Sequence, residues 1–307
     1  MTGPAADQPL LLVHAHPDDE TLTTGLTMAH HARSGRPVHV VTCTLGEEGE
    51  VIPAELAHLD AAHDDVLGPY RREELRCAMA TLGVEHEVLG EDPSAGVLSR
   101  YRDSGMAGTP SAANPAAFVN ADLDEAAGLL ADVLRRVRPA AVVTYDRQGG
   151  YRHPDHIQAH RVTCAAVASL PAEGRPPLYA VVTPVSWARE DRAWLAGHRL
   201  PVGWEVPHAE AAFPPSVVED DLVTHELLAP ELVPVQAQAL RCHRTQVTVS
   251  DDGLAYALSN DIAARLAGRE AFAVLDPATG ALAAPAVAGP RHTTLVPGAA
   301  SPRETRP

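Results

Sequence analysis

Two short clusters of imidazole and carboxylate side chains are the residues of this chain best suited to chemistry. His-Ala-His-Pro-Asp-Asp-Glu occupies positions 14–20, and His-Pro-Asp-His occupies positions 153–156. Each cluster follows an apolar run, at 10–13 and 141–145, that is typical of a buried strand. A catalytic zinc takes three nitrogen or oxygen ligands from the protein and keeps one position for water. The two clusters therefore predict one metal site built from two strand ends.

Adjacent aspartates in the first cluster are expected to have different tasks. Side chains of neighbouring residues diverge, so one of Asp18 and Asp19 can bind the metal while the other faces the substrate. His16 lies three residues before Asp19. Spacing alone does not decide which aspartate is the ligand, and both assignments remain open at this point.

The second cluster poses the same question for His153, Asp155 and His156. Pro154 is favoured at the first position of a helix, so His156 can point inward while His153 lies in the preceding turn. His160 follows His156 by four residues and could share its helical face. A lone histidine on a helix is more often a packing residue, and we expect that role for His160.

Strands alternate with helices as far as a strand predicted at 178–183, which indicates a parallel sheet with right-handed crossovers. We therefore predict an α/β fold with a Rossmann-like, doubly wound, mostly parallel sheet. Both clusters would then lie at the carboxyl ends of strands, where ligands bind in such sheets. The glycine-rich motif of dinucleotide-binding proteins is absent after the first strand.

The pattern divides the chain into three parts. Residues 1–185 are predicted to form the core that carries the metal site. Residues 186–276 are predicted to form a smaller, mixed α+β portion that packs on the core and borders the substrate pocket, with helices at 230–243 and 259–267. Alanine, proline and glycine dominate residues 277–307, which predicts a disordered tail.

Composition excludes several classes of function. The formal net charge is −16 and all 24 basic side chains are arginines, so a lysine Schiff base and nucleic-acid binding are both disfavoured. Residues 1–9 do not resemble a signal peptide, and no apolar run reaches the length of a membrane span. We expect a cytoplasmic protein without a membrane partner.

The four cysteines are widely spaced and are expected to be reduced thiols: Cys43, Cys77, Cys164 and Cys242.

A long irregular segment at 91–120 interrupts the strand–helix pattern. Loops of this length inside a compact domain are usually functional or disordered. The stretch 102–106, Arg-Asp-Ser-Gly-Met, is too varied for a simple linker. We predict that this segment closes over the substrate.

The clusters at 15–20 and 153–156 together resemble the LmbE-like, or PIG-L, family of zinc-dependent N-deacetylases. Stretches at 41–51, 101–109 and 145–151 are similar to the branch of that family that removes the acetyl group from N-acetyl-glucosaminyl-inositol in mycothiol biosynthesis. The resemblance is good over roughly residues 10–170. It implies a metal-dependent amidohydrolase whose partner is a small amino-sugar inositol.

The resemblance also implies roles in the metal site. His16, Asp19 and His156 would hold one zinc ion per subunit, and Asp18 would be the general base. Iron(II) accepts the same ligand types, so the metal loaded in the cell is left open. The oligomeric state is open as well.

Further roles follow from the same resemblance. His153, oriented by Asp155, and Tyr151 would stabilise the oxyanion that develops on the amide, through a protonated or hydrogen-bonding imidazole. Arg152 departs from the family pattern, where a smaller residue is expected. The sugar and inositol contacts would be Arg71, Asp103 and Glu50.

Three competing functions remain, and one is that of another LmbE-like N-acetylglucosaminide deacetylase. A related amidase of mycothiol S-conjugates would use the same site, but we expect a lysine shortly after the Asp-Asp-Glu run in that enzyme. Thr23 and Thr24 occupy that region here, which favours the deacetylase. A noncatalytic sugar- or nucleotide-binding module could use the same sheet, but it would not need a complete set of metal ligands.

Overall fold

The computed structural model describes residues 8–283 and 289–296 of the chain. The strands are β1 (Leu10–His14), β2 (Val38–Thr42), β3 (Glu85–Val88), β4 (Ala141–Tyr145), β5 (Leu178–Pro184), β6 (Val217–Val218), β7 (His225–Leu228), β8 (Thr248–Val249), β9 (Ala255–Ala257), β10 (Ala263–Arg265), β11 (Arg269–Asp276) and β12 (Ala281–Leu282). The helices are α1 (Asp19–Arg33), α2 (Leu67–Leu82), α3 (Leu123–Val137), the short α4 (Gly149–Arg152), α5 (Pro154–Ser169), α6 (Val185–Gly197) and α7 (Val233–Leu240).

The central sheet has the strand order β12-β11-β5-β4-β1-β2-β3. The five strands from β5 to β3 in that order are parallel. The chain runs outward from β1 to β2 and β3, and then returns to place β4 on the other side of β1. This reversal leaves a crevice between the carboxyl ends of β1 and β4, where ligands bind in sheets of this kind. The predicted α/β, mostly parallel, Rossmann-like sheet is confirmed.

Helices cover both faces of the sheet, which explains why the central strands β1 and β4 are mostly apolar on both faces. In β1, Leu11 and Val13 contribute to the core beneath α3 and α5, while Leu10 and Leu12 contribute to the core beneath α1, α2 and α7. All four side chains are fully buried. Among the described residues, no helix is both long and apolar enough to cross a bilayer.

The C-terminal portion joins the core more closely than predicted. β11 pairs antiparallel with β5, so the segment predicted at 186–276 supplies a strand to the central sheet. The helix predicted at 259–267 is wrong, because β10 lies there and pairs with β9 in a separate three-stranded sheet. Alanine and arginine favour a helix locally, but cross-strand pairing overrides that preference.

Part of the predicted disordered tail is ordered. β12 pairs with β11, and His292 forms a bridge with His225. Leu295 and Val296 are buried. The prediction of disorder is therefore wrong for 277–283 and 289–296, and the other residues of the predicted tail lie outside the described part of the chain.

Two cysteines also differ from the prediction. Cys77 on α2 and Cys242 just after α7 form a disulfide that spans 165 residues of sequence. Cys43 and Cys164 are buried, free thiols, as expected for core cysteines. The expectation of four reduced thiols fails because packing of α2 against α7 brings together two cysteines that no local pattern connects.

Candidate metal centre and active site

Three atoms from the two sequence clusters form a nearly equilateral triangle. His16 Nδ1 lies 3.2 Å from Asp19 Oδ2 and 3.3 Å from His156 Nε2, and the last two atoms are 3.2 Å apart. All three residues are buried. Tetrahedral ligands about 2.0–2.2 Å from zinc are about 3.3–3.6 Å from one another, so this triangle fits a zinc-sized cation.

The crevice between β1 and β4 explains why these residues meet. β1 and β4 are adjacent in the sheet, with Leu12 opposite Val143, so their carboxyl ends lie side by side. Asp19 begins α1 after the short turn that follows β1. His156 lies in the first turn of α5, whose N-terminal cap is His153. Two strand–turn–helix units thus converge on one point.

Asp18 and Asp19 are both buried but have different charged neighbours. Asp19 Oδ2 faces the imidazoles of both His16 and His156, whereas Asp18 Oδ2 lies 3.3 Å from Nη2 of Arg71. Burial raises the pKa of Asp18 to about 7, against the opposing charge of Arg71. Burial also disfavours charge on Asp19, but His156 and His16 outweigh it and hold its pKa well below the usual range.

The backbone of Asp18 adopts an unusual conformation, with φ at +124°. A non-glycine residue in that region is strained and requires support from its surroundings. The support comes from Glu20, whose Oε2 accepts a hydrogen bond from the Asp18 backbone N–H at 3.0 Å. The other oxygen of Glu20 is 3.1 Å from Nε2 of His243, and both side chains are fully buried.

Carboxylates also face the far side of His16. Its Nε2 lies 3.3 Å from Oδ2 of Asp155 and 3.4 Å from Oδ1 of Asp103. Ser104 donates to both oxygens of Asp155, one through its backbone N–H at 2.9 Å and one through its hydroxyl. Carboxylates in this position orient a metal-binding histidine and increase its basicity. Asp155 contacts His153 through its backbone N–H, whereas its carboxylate faces His16, so the predicted orientation of His153 by Asp155 remains a prediction.

His153 lies beside the triangle formed by His16, Asp19 and His156. Ligand atoms of His153, His16 and His156 all lie within 4.8 Å of one another. Nδ1 of His153 accepts a hydrogen bond from the backbone N–H of Asp155, which leaves Nε2 to carry the proton of the neutral ring. Burial lowers the pKa of His153 to about 3. The structure thus favours a neutral, hydrogen-bonding imidazole.

Tyr151 lies at the mouth of the site. Its side chain is 50% exposed, and its ring centroid is 5.0 Å from that of His156 and 6.0 Å from that of His153. The next residue, Arg152, has φ at +72°, which accounts for the expectation of a smaller residue at this position. The arginine side chain itself is exposed.

Arg71 is buried behind Asp18 rather than open to a ligand. Its guanidinium donates to the carbonyls of Gly46 and Pro17 at 2.7 and 2.6 Å. A Cβ at Gly46 would overlap that guanidinium, so glycine is required there. Glu50 is exposed, and its backbone carbonyl accepts from Gln246. The substrate contacts predicted for Arg71 and Glu50 remain predictions, and so does that of Asp103.

Three residues around the site had no role predicted from the sequence: Ser104, His243 and Tyr145. The Tyr145 hydroxyl accepts from the backbone N–H of Ala15 at 2.9 Å, and its ring stacks on that of His156. The only features of the sequence that pointed to these residues were the varied stretch at 102–106 and the position of Tyr145 at a strand end.

His160 forms a hydrogen bond with the carbonyl of Tyr145 through Nδ1 at 2.9 Å, which agrees with the packing role expected for it.

Comparison with known proteins identifies the class. The PIG-L family, described as GlcNAc-PI de-N-acetylase, matches residues 11–167, which is just over half of the chain. The chain belongs to the PIG-L family. This confirms the predicted family and makes hydrolytic N-deacetylation its class of reaction, with a histidine–aspartate group able to hold a metal.

Particular relatives are similar over nearly the whole chain. The 1D-myo-inositol 2-acetamido-2-deoxy-alpha-D-glucopyranoside deacetylase of Thermomonospora curvata is 46% identical and covers 95% of this chain and 97% of its own. The protein of the same name from Rhodococcus opacus is 49% identical and covers 90% and 94%. Among solved structures, N,N'-diacetylchitobiose deacetylase from Pyrococcus horikoshii has a TM-score of 0.48 and 21% identity, covering 80% of this chain and 72% of its own.

Proposed function

We propose that this protein hydrolyses the N-acetyl group of 1D-myo-inositol 2-acetamido-2-deoxy-α-D-glucopyranoside, giving glucosaminyl-inositol and acetate for mycothiol biosynthesis. The observation that carries the proposal is the triangle of His16, Asp19 and His156 beside the carboxylate of Asp18. A cation-binding site next to a separate proton acceptor is an arrangement suited to metal-dependent amide hydrolysis.

The relatives support the choice of substrate. Proteins with this substrate in their names are 45–49% identical to this chain and share most of its length. The triangle and the carboxylates behind it are formed by residues between 16 and 156, all of which lie inside the region matched by the family. The proposal includes the predicted cytoplasmic location.

His16, Asp19 and His156 would hold zinc, since two imidazoles and a carboxylate are a usual set for a catalytic site. Zinc would supply Lewis-acid chemistry, polarising an amide carbonyl and making water more acidic near neutral pH. Asp103 and Asp155 would hold the His16 ring with Nδ1 toward the ion, because both carboxylates lie on its Nε2 side.

Asp18 would accept the proton of the attacking water and return it to the leaving amine. Its neighbour Arg71 holds the Asp18 carboxylate at 3.3 Å, and Glu20 holds the Asp18 backbone, so the proton acceptor has a defined position. His153 would donate from Nε2 to the amide oxygen as negative charge develops there. Tyr151 would border the same oxygen from the exposed side.

Loop 91–120 would line the sugar site, as predicted. The loop is anchored to the core of the protein by four buried residues, Tyr101, Asp103, Ser104 and Phe118. Arg71, Asp103 and Glu50 are the contacts proposed for the hydroxyl groups of the sugar and inositol. The buried positions of Arg71 and Asp103 favour an additional part in holding Asp18 and His16.

Acetate release by the purified protein tests the function. The substrate should be hydrolysed faster than a mycothiol S-conjugate, and removal of the metal by a chelator should abolish the activity until zinc is restored. His156→Ala should lose both bound metal and activity. His160→Ala is the matched control, because it removes another buried imidazole one turn further along α5 and should keep the metal. Full metal content in His156→Ala would contradict the assignment.

A further inference from the structure

The disulfide between Cys77 and Cys242 is accessible from solvent. Cys77 is exposed on α2 and Cys242 is half-buried just after α7. The free thiols of Cys43 and Cys164 are buried, and burial raises the pKa of both, which makes them poor nucleophiles at neutral pH. Of the four cysteines, the disulfide pair is therefore the one that a dissolved reagent can reach.

Helix α2 leads from this disulfide to the Asp18 carboxylate. Glu74 lies three residues before Cys77, and Arg71 lies three residues before Glu74, so they stand on neighbouring turns of the helix. Nη2 of Arg71 is 3.3 Å from Oδ2 of Asp18 and donates to the carbonyl of Pro17 at 2.6 Å. A movement of α2 would therefore move the cation that faces Asp18.

The turn after α7 leads from the disulfide to the backbone of the same residue. His243 follows Cys242 directly, and its Nε2 is 3.1 Å from Oε1 of Glu20. The other oxygen of Glu20 accepts from the backbone N–H of Asp18 at 3.0 Å. Asp18 is thus held twice, through its carboxylate from α2 and through its backbone from the turn that contains Cys242.

A polar contact and the disulfide join the two segments that hold Asp18. Glu74 on α2 accepts from the backbone N–H of Thr245 at 2.9 Å and from its hydroxyl at 2.7 Å, and both residues are buried. The disulfide adds a covalent link three residues away on each segment. Opening it leaves the polar contact and the packing of α2 against α7, so the segments stay attached but gain freedom.

We propose that the Cys77–Cys242 disulfide is a site of reversible thiol–disulfide exchange that sets the position of Asp18 and thereby the rate of deacetylation. Its reagent would be a low-molecular-weight thiol and the corresponding disulfide. The effect on rate rests on the proposed function, whereas the exchange itself does not. Disulfides of cytoplasmic proteins are usually catalytic or redox-sensing, and exposed disulfides are the more easily reduced ones.

The exchange consumes two thiols. The thiolate of the first attacks Sγ of Cys77, forms a mixed disulfide and releases the Cys242 thiolate. The second attacks the reagent sulfur of the mixed disulfide, which releases the Cys77 thiolate and the low-molecular-weight disulfide. Each released cysteine takes up one of the two protons that the reagent thiols lose. Two electrons pass from the two thiols to the protein disulfide, and the reverse steps restore the cross-link.

Kinetics in glutathione buffers test the proposal. The zinc-loaded protein is equilibrated without oxygen at defined ratios of reduced to oxidised glutathione, and alkylation followed by mass spectrometry measures the fraction of intact disulfide. On reduction, kcat for acetate release should fall about threefold to tenfold, short of the ~10²–10⁴-fold contribution of a general base that is removed outright. KM should change less than about twofold, because a displaced base weakens the transition state alone. The metal content should stay the same.

Serine variants separate the disulfide from other effects of glutathione. Cys77→Ser and Cys242→Ser lack the cross-link and should show the reduced value of kcat at every ratio. Cys164→Ala is the matched control, because it removes a buried free thiol and keeps the disulfide, so it should respond as the parent does. Extraction of the metal by glutathione would instead lower the activity of all of these proteins alike.

Hydrogen exchange provides a readout that does not need turnover. Reduction should speed exchange of the amides at 18–22 at least about threefold, because the Asp18 N–H is bonded to Glu20, and the N–H groups of Thr21 and Leu22 are bonded to the Asp18 carbonyl. Amides of β4 should exchange at the same rate in both states.

Three results would each overturn the proposal. They are a disulfide that stays intact at every ratio, a kcat that does not change while the disulfide opens, and a response in Cys77→Ser equal to that of the parent. Absence of acetate release at every ratio, with the expected change in hydrogen exchange, would instead overturn the proposed function and leave the exchange site in place.

Discussion

Replacing His243 by leucine removes the imidazole that faces the Glu20 carboxylate in a part of the core that excludes water. Burial alone would lower the pKa of His243, but Glu20 outweighs it and raises that pKa, so the two form an ion pair. Glu20 also accepts from the Thr21 hydroxyl at 2.6 Å and from the Asp18 N–H at 3.0 Å. His243→Leu leaves two of these three donors.

Removing one partner of a buried ion pair typically costs about 3–5 kcal/mol. Because two donors remain on Glu20, we expect the lower end, a loss of about 3 kcal/mol in the free energy of unfolding. For a chain of this size that loss lowers Tm by about 6–12 °C. Adding Glu20→Gln should restore part of it, since a neutral amide does not need a cation, and the double variant should be about 1–3 kcal/mol more stable than the sum of the single changes.

Urea denaturation of the chelator-treated proteins measures these differences without the contribution of bound metal. His31→Leu is the control, because His31 is also a buried histidine on the same side of the sheet, but its Nδ1 has no partner among the described residues. It should change stability by less than about 1 kcal/mol. A loss below about 0.5 kcal/mol in His243→Leu, or fully additive single changes, would refute the reasoning.

Asp18→Asn should keep the metal and lower kcat by about 10²–10⁴-fold, the usual contribution of a general base, and loss of metal would show the two aspartates to be reversed. Ser104→Ala should weaken metal affinity about 10–100-fold in a chelator competition, and unchanged affinity would contradict its role behind the metal ligand. Thiol titration of the unfolded, unreduced protein should find two thiols, and four would contradict the Cys77–Cys242 disulfide. Burial lowers the pKa of His31 to about 4, so the folded state binds fewer protons than the unfolded state and stability falls as pH decreases from 6.5 towards 4. His31→Leu should remove about 2 kcal/mol of that loss at pH 5 in urea denaturation, and an identical pH profile would refute this.

Local patterns in the sequence were sufficient for the fold class and for the two clusters. Buried parallel strands must be apolar on both faces, so β1 and β4 are visible as short apolar runs. Because parallel strands end on one edge of the sheet, the polar residues that follow them can be assigned to one site from the sequence alone. The three proposed metal ligands are therefore a prediction from sequence that the structure brings together.

The different surroundings of the two aspartates depend on tertiary structure. Asp18 and Asp19 are adjacent and chemically identical, but Asp18, with φ at +124°, faces Arg71 whereas Asp19 faces His16 and His156. That conformation is held by Glu20 and by His243, which is 223 residues further along the chain. No local pattern encodes such a contact.

Long-range pairing also decided the features that were predicted wrongly. The disulfide between Cys77 and Cys242 and the addition of β11 to the central sheet both join segments that are far apart in sequence. The 259–267 segment has helical propensity, which is worth only a few tenths of a kcal/mol per residue. The hydrogen bonds that β10 forms with β9 outweigh this preference. Local preferences determine which elements can form, whereas burial and pairing between distant segments determine which side chains finally meet.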